Sequence, residues 1–214
     1  RQACGSLFEA HQLGLVHRDI KATNVMVCHR AEIPDFVKVL DFGLVKAVDN
    51  KRQQTLTSEG SFTGTPLYLS PEGINSPASV DARSDIYAVG AAGYFLLTGK
   101  PLFEAESVVE VIMHQVNTMP EPPSARIGEA LDSELEVIIM QCLSKNPAER
   151  PRSAKELERM LRNCACVTSW SEEDAEDWWQ DYAGKRPSTT EPSTDAKKDT
   201  GQVAATLVLE QKQK

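Results

Sequence analysis

No stretch of this chain stays apolar long enough to cross a bilayer. The longest strongly apolar run, Ile86 to Leu97, falls short of the roughly 20 residues a spanning helix needs. Cysteine is scarce and unpatterned: Cys4, Cys28, Cys142, Cys164 and Cys166 are odd in number and lack both zinc-site spacing and the density of a disulfide scaffold. They read as reduced intracellular thiols, and the Cys164-Ala165-Cys166 pair is assigned no role. Basic charge is also short, with 23 Lys and Arg against 31 Asp and Glu, a net charge of -8. No basic stripe is available to neutralise phosphates, which argues against nucleic acid as the main partner. A signal peptide is missing too, and a first residue of Arg1 rather than Met suggests a start inside a longer protein. What remains is 214 residues with 41% hydrophobic content, enough for one globular body and a tail.

Chemistry concentrates in His17-Arg18-Asp19-Ile20-Lys21-Ala22-Thr23-Asn24, followed after a short apolar run by Asp41-Phe42-Gly43. Asp19 offers a carboxylate, Lys21 an ammonium two positions on, and Asn24 an amide oxygen three beyond that. Asp41 adds a second hard oxygen ligand. Carboxylate and amide oxygens suit Mg²⁺, which prefers octahedral oxygen coordination shared with phosphates. A loop carrying a base, a phosphate-neutralising Lys and two such ligands is equipped for phosphoryl transfer.

The spacing H-R-D-x-K-x-x-N, then D-F-G, then Ser70-Pro71-Glu72 where the family has Ala-Pro-Glu, resembles the catalytic and metal-binding loops of the Hanks-type serine/threonine protein kinases. The wording of Gly64 to Glu72 is most like the bacterial members. The resemblance implies an α+β, mainly α fold: the kinase large (C-terminal) lobe over residues 1–165, with a small β-hairpin at the catalytic loop. It covers only that lobe. No glycine-rich loop, strand Lys, small-lobe Glu or hinge is in the chain, so the 214 residues alone are expected to turn over little substrate.

Several roles follow from the resemblance. Asp19 would orient a substrate hydroxyl and accept its proton, Lys21 would neutralise the moving phosphoryl group, and Asn24 with Asp41 would hold Mg²⁺ (or Mn²⁺) beside ATP. Met26 would form the floor under the adenine ring. Thr65 would bond Asp19 and Lys21, which marks serine/threonine rather than tyrosine specificity. Arg18 would grip a phosphate on the polar stretch from Leu44 to Thr63, an activation loop in which Thr55, Thr57, Ser61 and Thr63 are the candidate phosphosites. Phe42 and Gly43 complete the metal-binding motif. Asp85 would hold His17 and Arg18 through their backbone, and Glu72 would pair with Arg150 as a buried salt bridge. Protein substrates are the implied partners, dimerisation through regions outside this chain is left open, and the implied address is cytoplasmic, either free or as the cytoplasmic part of a membrane-anchored protein. The alternative from another class is a non-catalytic scaffold or pseudokinase-type module that uses the same lobe to bind partners.

Periodicity supplies the rest. Residues 1–13 read as the end of an amphipathic helix, Val25–Val27 and Val37–Leu40 as a hairpin around a turn containing Pro34 and Asp35, and Val80–Thr98 as a helix buried all round. Capping boxes at Ser107 and Glu110, Ser133 and Glu136, and Ser153 and Glu156 announce three more helices. Residues 166–182 form an acidic Trp-rich helix that docks either on its own lobe or on a partner. Residues 183–214 read as a largely disordered tail.

Overall fold

The computed structural model describes residues 1–31, 33–42, 66–166, 170–184 and 203–205. Gly43, Thr65 and the candidate phosphosites Thr55, Thr57, Ser61 and Thr63 lie outside them. The described elements run α1 (Gln2–Gln12), a 3-10 turn at Ala22–Asn24, β1 (Val25–Arg30), β2 (Ile33–Val39), a second 3-10 turn at Pro66–Tyr68, α2 (Pro71–Asn75), α3 (Ala82–Thr98), α4 (Val108–Asn117), α5 (Pro123–Ile127), α6 (Ser133–Cys142), α7 (Ala154–Asn163), α8 (Glu172–Gly184) and β3 (Val203–Ala205). Among the described residues no helix is long and apolar enough to cross a membrane.

Helix α3 is the pillar. Asp81 caps its start by accepting a hydrogen bond from the Arg83 amide at 2.8 Å, and Gly99 ends it in the left-handed region at φ 67°, a conformation that is cheap only without a Cβ. Two apolar clusters meet on it. Ile86 and Ala88 pack with Cys4 and Leu7 of α1, Ile138 of α6 and Leu157 of α7; Tyr87, Ala91 and Tyr94 pack with Leu102, Phe103, Ile139 and Leu143. Helices α3 and α6 approach so closely that a Cβ on Gly90 would sit 2.6 Å from the Cys142 Cβ. The expectation of a helix buried all round holds for its first three turns only, because Leu96 is 62% exposed where the last turn leaves the core.

The sheet order is β2-β1-β3, with both pairings antiparallel. Val25 faces Val39 and Cys28 faces Phe36, and the register shifts between Cys28 and Arg30. The hairpin is longer than the sequence suggests, since Pro34 and Asp35 fall inside β2 rather than in the turn. Two facts permit this. Strand β2 is an edge, where a residue without an N–H is tolerated, and the irregular register absorbs Asp35 at φ 52°. Strand β3 lies within the stretch that composition marks as disordered.

Helix α8 docks on this hairpin of its own chain. Trp179 is buried; its Nε1 donates to Asp35 Oδ1 at 2.9 Å while Trp170 Nε1 donates to Oδ2 of the same carboxylate at 2.8 Å. His29 meets Glu176 at 3.2 Å.

Two of the three expected caps form as read: the Ser107 and Ser153 hydroxyls accept from the amides of Glu110 and Glu156 at 3.2 and 3.1 Å. The third is displaced by one residue. Asp132, not Ser133, caps α6 by accepting from Leu135 N at 2.9 Å, an equally favourable cap chemistry. Glu136 is thereby released to accept from Ser124 N at 2.7 Å, tying α5 to α6.

Candidate functional site

The loop between α1 and β1 is held from below by one carboxylate. Asp85, fully buried in the first turn of α3, accepts from His17 N through Oδ2 and from Arg18 N through Oδ1, both at 2.8 Å. His11 of α1 adds its Nε2 to Oδ2 at 2.8 Å. Two backbone donors and a ring nitrogen on a single carboxylate fix the loop against the pillar and satisfy a charge that would otherwise be costly to bury. The strained backbone sits at the same place: Arg18 has φ 66° and Asp41 has φ 62°, left-handed conformations that non-glycine residues adopt where surrounding structure enforces them.

His17 joins the two motifs. Its Nε2 donates to the Leu40 carbonyl at 2.7 Å, its Nδ1 accepts from Asp19 N at 3.3 Å, and its ring packs on Phe42 with centroids 4.7 Å apart. Donation to a carbonyl on one side and acceptance from an amide on the other assign the Nε2-protonated tautomer. On the opposite face Leu40 N donates to Asn24 O at 2.9 Å. The loop therefore grips Leu40 by both its N–H and its C=O, and Asp41 emerges one residue beyond that grip.

Three of the sequence-predicted side chains are in direct contact. Lys21 Nζ lies 2.9 Å from Asp19 Oδ2. Asn24, buried at the end of its 3-10 turn, donates Nδ2 to the Asp19 backbone O at 2.8 Å and to Oδ2 at 3.2 Å. Both of these Asn24 bonds are thus directed at Asp19. Asp41 is exposed, and Met26 is half-buried in β1 opposite Lys38. The amide and carboxylate oxygens of Asn24 and Asp41 are hard donors, a chemistry that suits Mg²⁺ rather than a soft metal.

Behind the loop, Glu72 and Arg150 form the expected pair as a two-pronged contact, Nη1 to Oε1 at 2.7 Å and Nη2 to Oε2 at 2.8 Å. Arg150 is buried, and it also donates to the backbone carbonyls of Ser144, Lys145 and Arg83. Burial pushes the Glu72 carboxyl up, but hydrogen bonds from Arg150 and Ser84 outweigh it and hold the pKa at about 2.

Sequence reasoning missed a second anchor. Gln115 of α4 is fully buried; its Nε2 donates to the carbonyls of Pro66 and Leu67 at 3.2 and 2.8 Å, and its Oε1 accepts from Tyr87 Oη at 2.5 Å. Lys145 closes the network, donating to Tyr87 Oη at 3.2 Å and to Gln115 O at 2.7 Å. Burial lowers the Lys145 pKa to about 8. No local pattern marks Gln115 or His11, because each acts on a residue far away in sequence.

The profile of the protein kinase domain matches residues 1–161. The chain belongs to the protein kinase family. Among its kinase relatives, the serine/threonine-protein kinase pkn3 of Myxococcus xanthus is 42% identical over 163 residues, covering 75% of this chain and 30% of that protein. Serine/threonine-protein kinase PknB of Mycobacterium tuberculosis is 40% identical over 155 residues, 72% of this chain and 24% of PknB. A probable serine/threonine-protein kinase PknB of Corynebacterium glutamicum is 38% identical over 167 residues, 75% of this chain and 25% of its own length. The resemblance to bacterial serine/threonine kinases is borne out. The kinase chain spans about a quarter to a third of the length of these relatives.

Proposed function

We propose that this chain is the large lobe of an ATP- and Mg²⁺-dependent kinase that phosphorylates serine and threonine hydroxyls of proteins. The observation that carries the reading is the Asp19 carboxylate, bonded by Lys21 at 2.9 Å and Asn24 at 3.2 Å on a loop pinned to buried Asp85. A carboxylate so fixed is pre-positioned to orient an incoming hydroxyl and take its proton. Lys21, an ammonium beside it, offsets the negative charge of the group in transfer. Asn24, through its amide oxygen, and Asp41, through its carboxylate, are the residues that would hold Mg²⁺. ATP bound with that ion would supply the phosphoryl group, and the cation would draw charge off its oxygens. Thr65 is assigned to bridge Asp19 and Lys21, and Met26 to face the adenine. Arg18 is assigned to grip a phosphate on Thr55, Thr57, Ser61 or Thr63. A cytoplasmic address goes with this reading.

The test uses the full-length gene product. Asp19→Asn, which removes the positioned base, and Asp41→Ala, which removes a Mg²⁺ ligand, each lower γ-phosphoryl transfer to a serine/threonine peptide by about 10²-fold or more, while circular dichroism is unchanged. Undiminished incorporation in either variant would rule out the assigned roles.

A further inference from the structure

Cys164-Ala165-Cys166 is uninformative as a sequence pattern, but folding brings a third donor to it. Cys164 ends α7, and its Sγ lies 3.1 Å from Cys166 Sγ and 3.3 Å from Asp132 Oδ1, the cap of α6, 32 residues earlier. The ligand atoms of all three residues fall within 4.8 Å of one another. Cys164 is almost fully buried and Cys166 half-buried. We propose that Asp132, Cys164 and Cys166 bind one thiophilic divalent cation, zinc by their ligand chemistry, which staples the end of α7 to the start of α6.

The three donors lie close to the spacing a shared cation needs. Tetrahedral zinc with Zn–S near 2.3 Å and Zn–O near 2.1 Å requires S···S of about 3.8 Å and S···O of about 3.6 Å. The observed S···S of 3.1 Å is shorter than this by about 0.7 Å and the S···O of 3.3 Å by about 0.3 Å, so χ1 rotation that parts the two sulfurs accompanies binding. Two thiolates and one carboxylate leave a fourth position for water. The surroundings hold the donors in place: Leu135 N orients the Asp132 carboxylate at 2.9 Å, and Ala165 N, between the two cysteines, donates to Glu134 Oε2 at 3.2 Å. Such outer contacts orient metal ligands. An open cleft is lined by Ser133, Glu134, Met160 and Cys164. A disulfide is the competing use of two close thiols, but it has no need of the carboxylate that meets Cys164. The ion would brace the last helices of the kinase body just before the chain continues to α8.

The experiment uses this chain, stripped with a chelator and kept reduced with a phosphine. Titration with Co²⁺ produces thiolate-to-metal charge-transfer absorption that saturates at one equivalent and is displaced by Zn²⁺, and added Zn²⁺ raises the melting temperature. Cys166→Ser, at a half-buried site, abolishes the absorption while the far-ultraviolet spectrum is kept. Asp132→Asn, which still caps α6, weakens binding by roughly tenfold or more. Absence of the absorption in the reduced wild type, or its survival in Cys166→Ser, overturns the proposal.

Discussion

Removing one side of the Glu72–Arg150 pair tests how the kinase body is held together. The Glu72 side chain is only 12% exposed and that of Arg150 is 0%, so solvent screening is small. A fall in pKa from 4.5 to about 2 is worth about 3 kcal/mol of pH-linked stability at 1.36 kcal/mol per unit. Because the folded pKa is depressed, this contribution is complete above the unfolded value of 4.5 and disappears as pH falls through 2. Glu72→Gln therefore destabilises the chain by about 3 kcal/mol at pH 7, and the gap from wild type narrows steadily below pH 4.5. Arg150→Met costs about 3 to 5 kcal/mol, since it leaves Glu72 buried without its partner. The double variant is less destabilised than the sum of the two. Urea unfolding at a series of pH values measures all of these. A gap under about 1 kcal/mol at pH 7, or one that does not change between pH 6 and pH 2, would refute the reasoning.

Two further substitutions probe the anchors of the site. Asp85→Asn sets an amide donor against His17 N or Arg18 N, so stability falls by about 1 to 3 kcal/mol per orphaned donor and phosphoryl transfer by the full-length gene product falls with it; wild-type values for both in urea and peptide assays would contradict the anchoring role. Gln115→Leu removes the acceptor of the Tyr87 hydroxyl and a donor to each of the Pro66 and Leu67 carbonyls, and amide exchange at Leu69, whose N–H closes the Pro66 turn, becomes faster while exchange in α7 does not. Equal acceleration in both elements would point to general loosening instead.

Local chemistry was the legible part. Asp19, Lys21 and Asn24 are separated by two and three residues, and a tight turn at Ala22–Asn24 suffices to bring their side chains together. Helix starts at Ser107 and Ser153 were legible for the same reason, because a cap is satisfied within its own first turn. Position 133 misled because Asp132 and Ser133 are comparable caps, and Glu136 bonds Ser124 of a neighbouring helix instead of completing a box with Ser133. Pro34 misled because the sequence does not show that β2 is an edge strand.

By itself, then, the chain's sequence determined the donors, charges and spacing of the His17–Asn24 loop, and with them the kinase family. Tertiary structure realised the distant anchors that the family resemblance only implied, and it alone brought in His11 and Gln115. Asp85 reaches His17 across 68 positions, Arg150 reaches Glu72 across 78, and Gln115 reaches Leu67 across 48. Such partners are selected by how α3, α4 and the segment after α6 pack on one another. Burial then makes each unpaired polar group costly enough that only the satisfied arrangement persists.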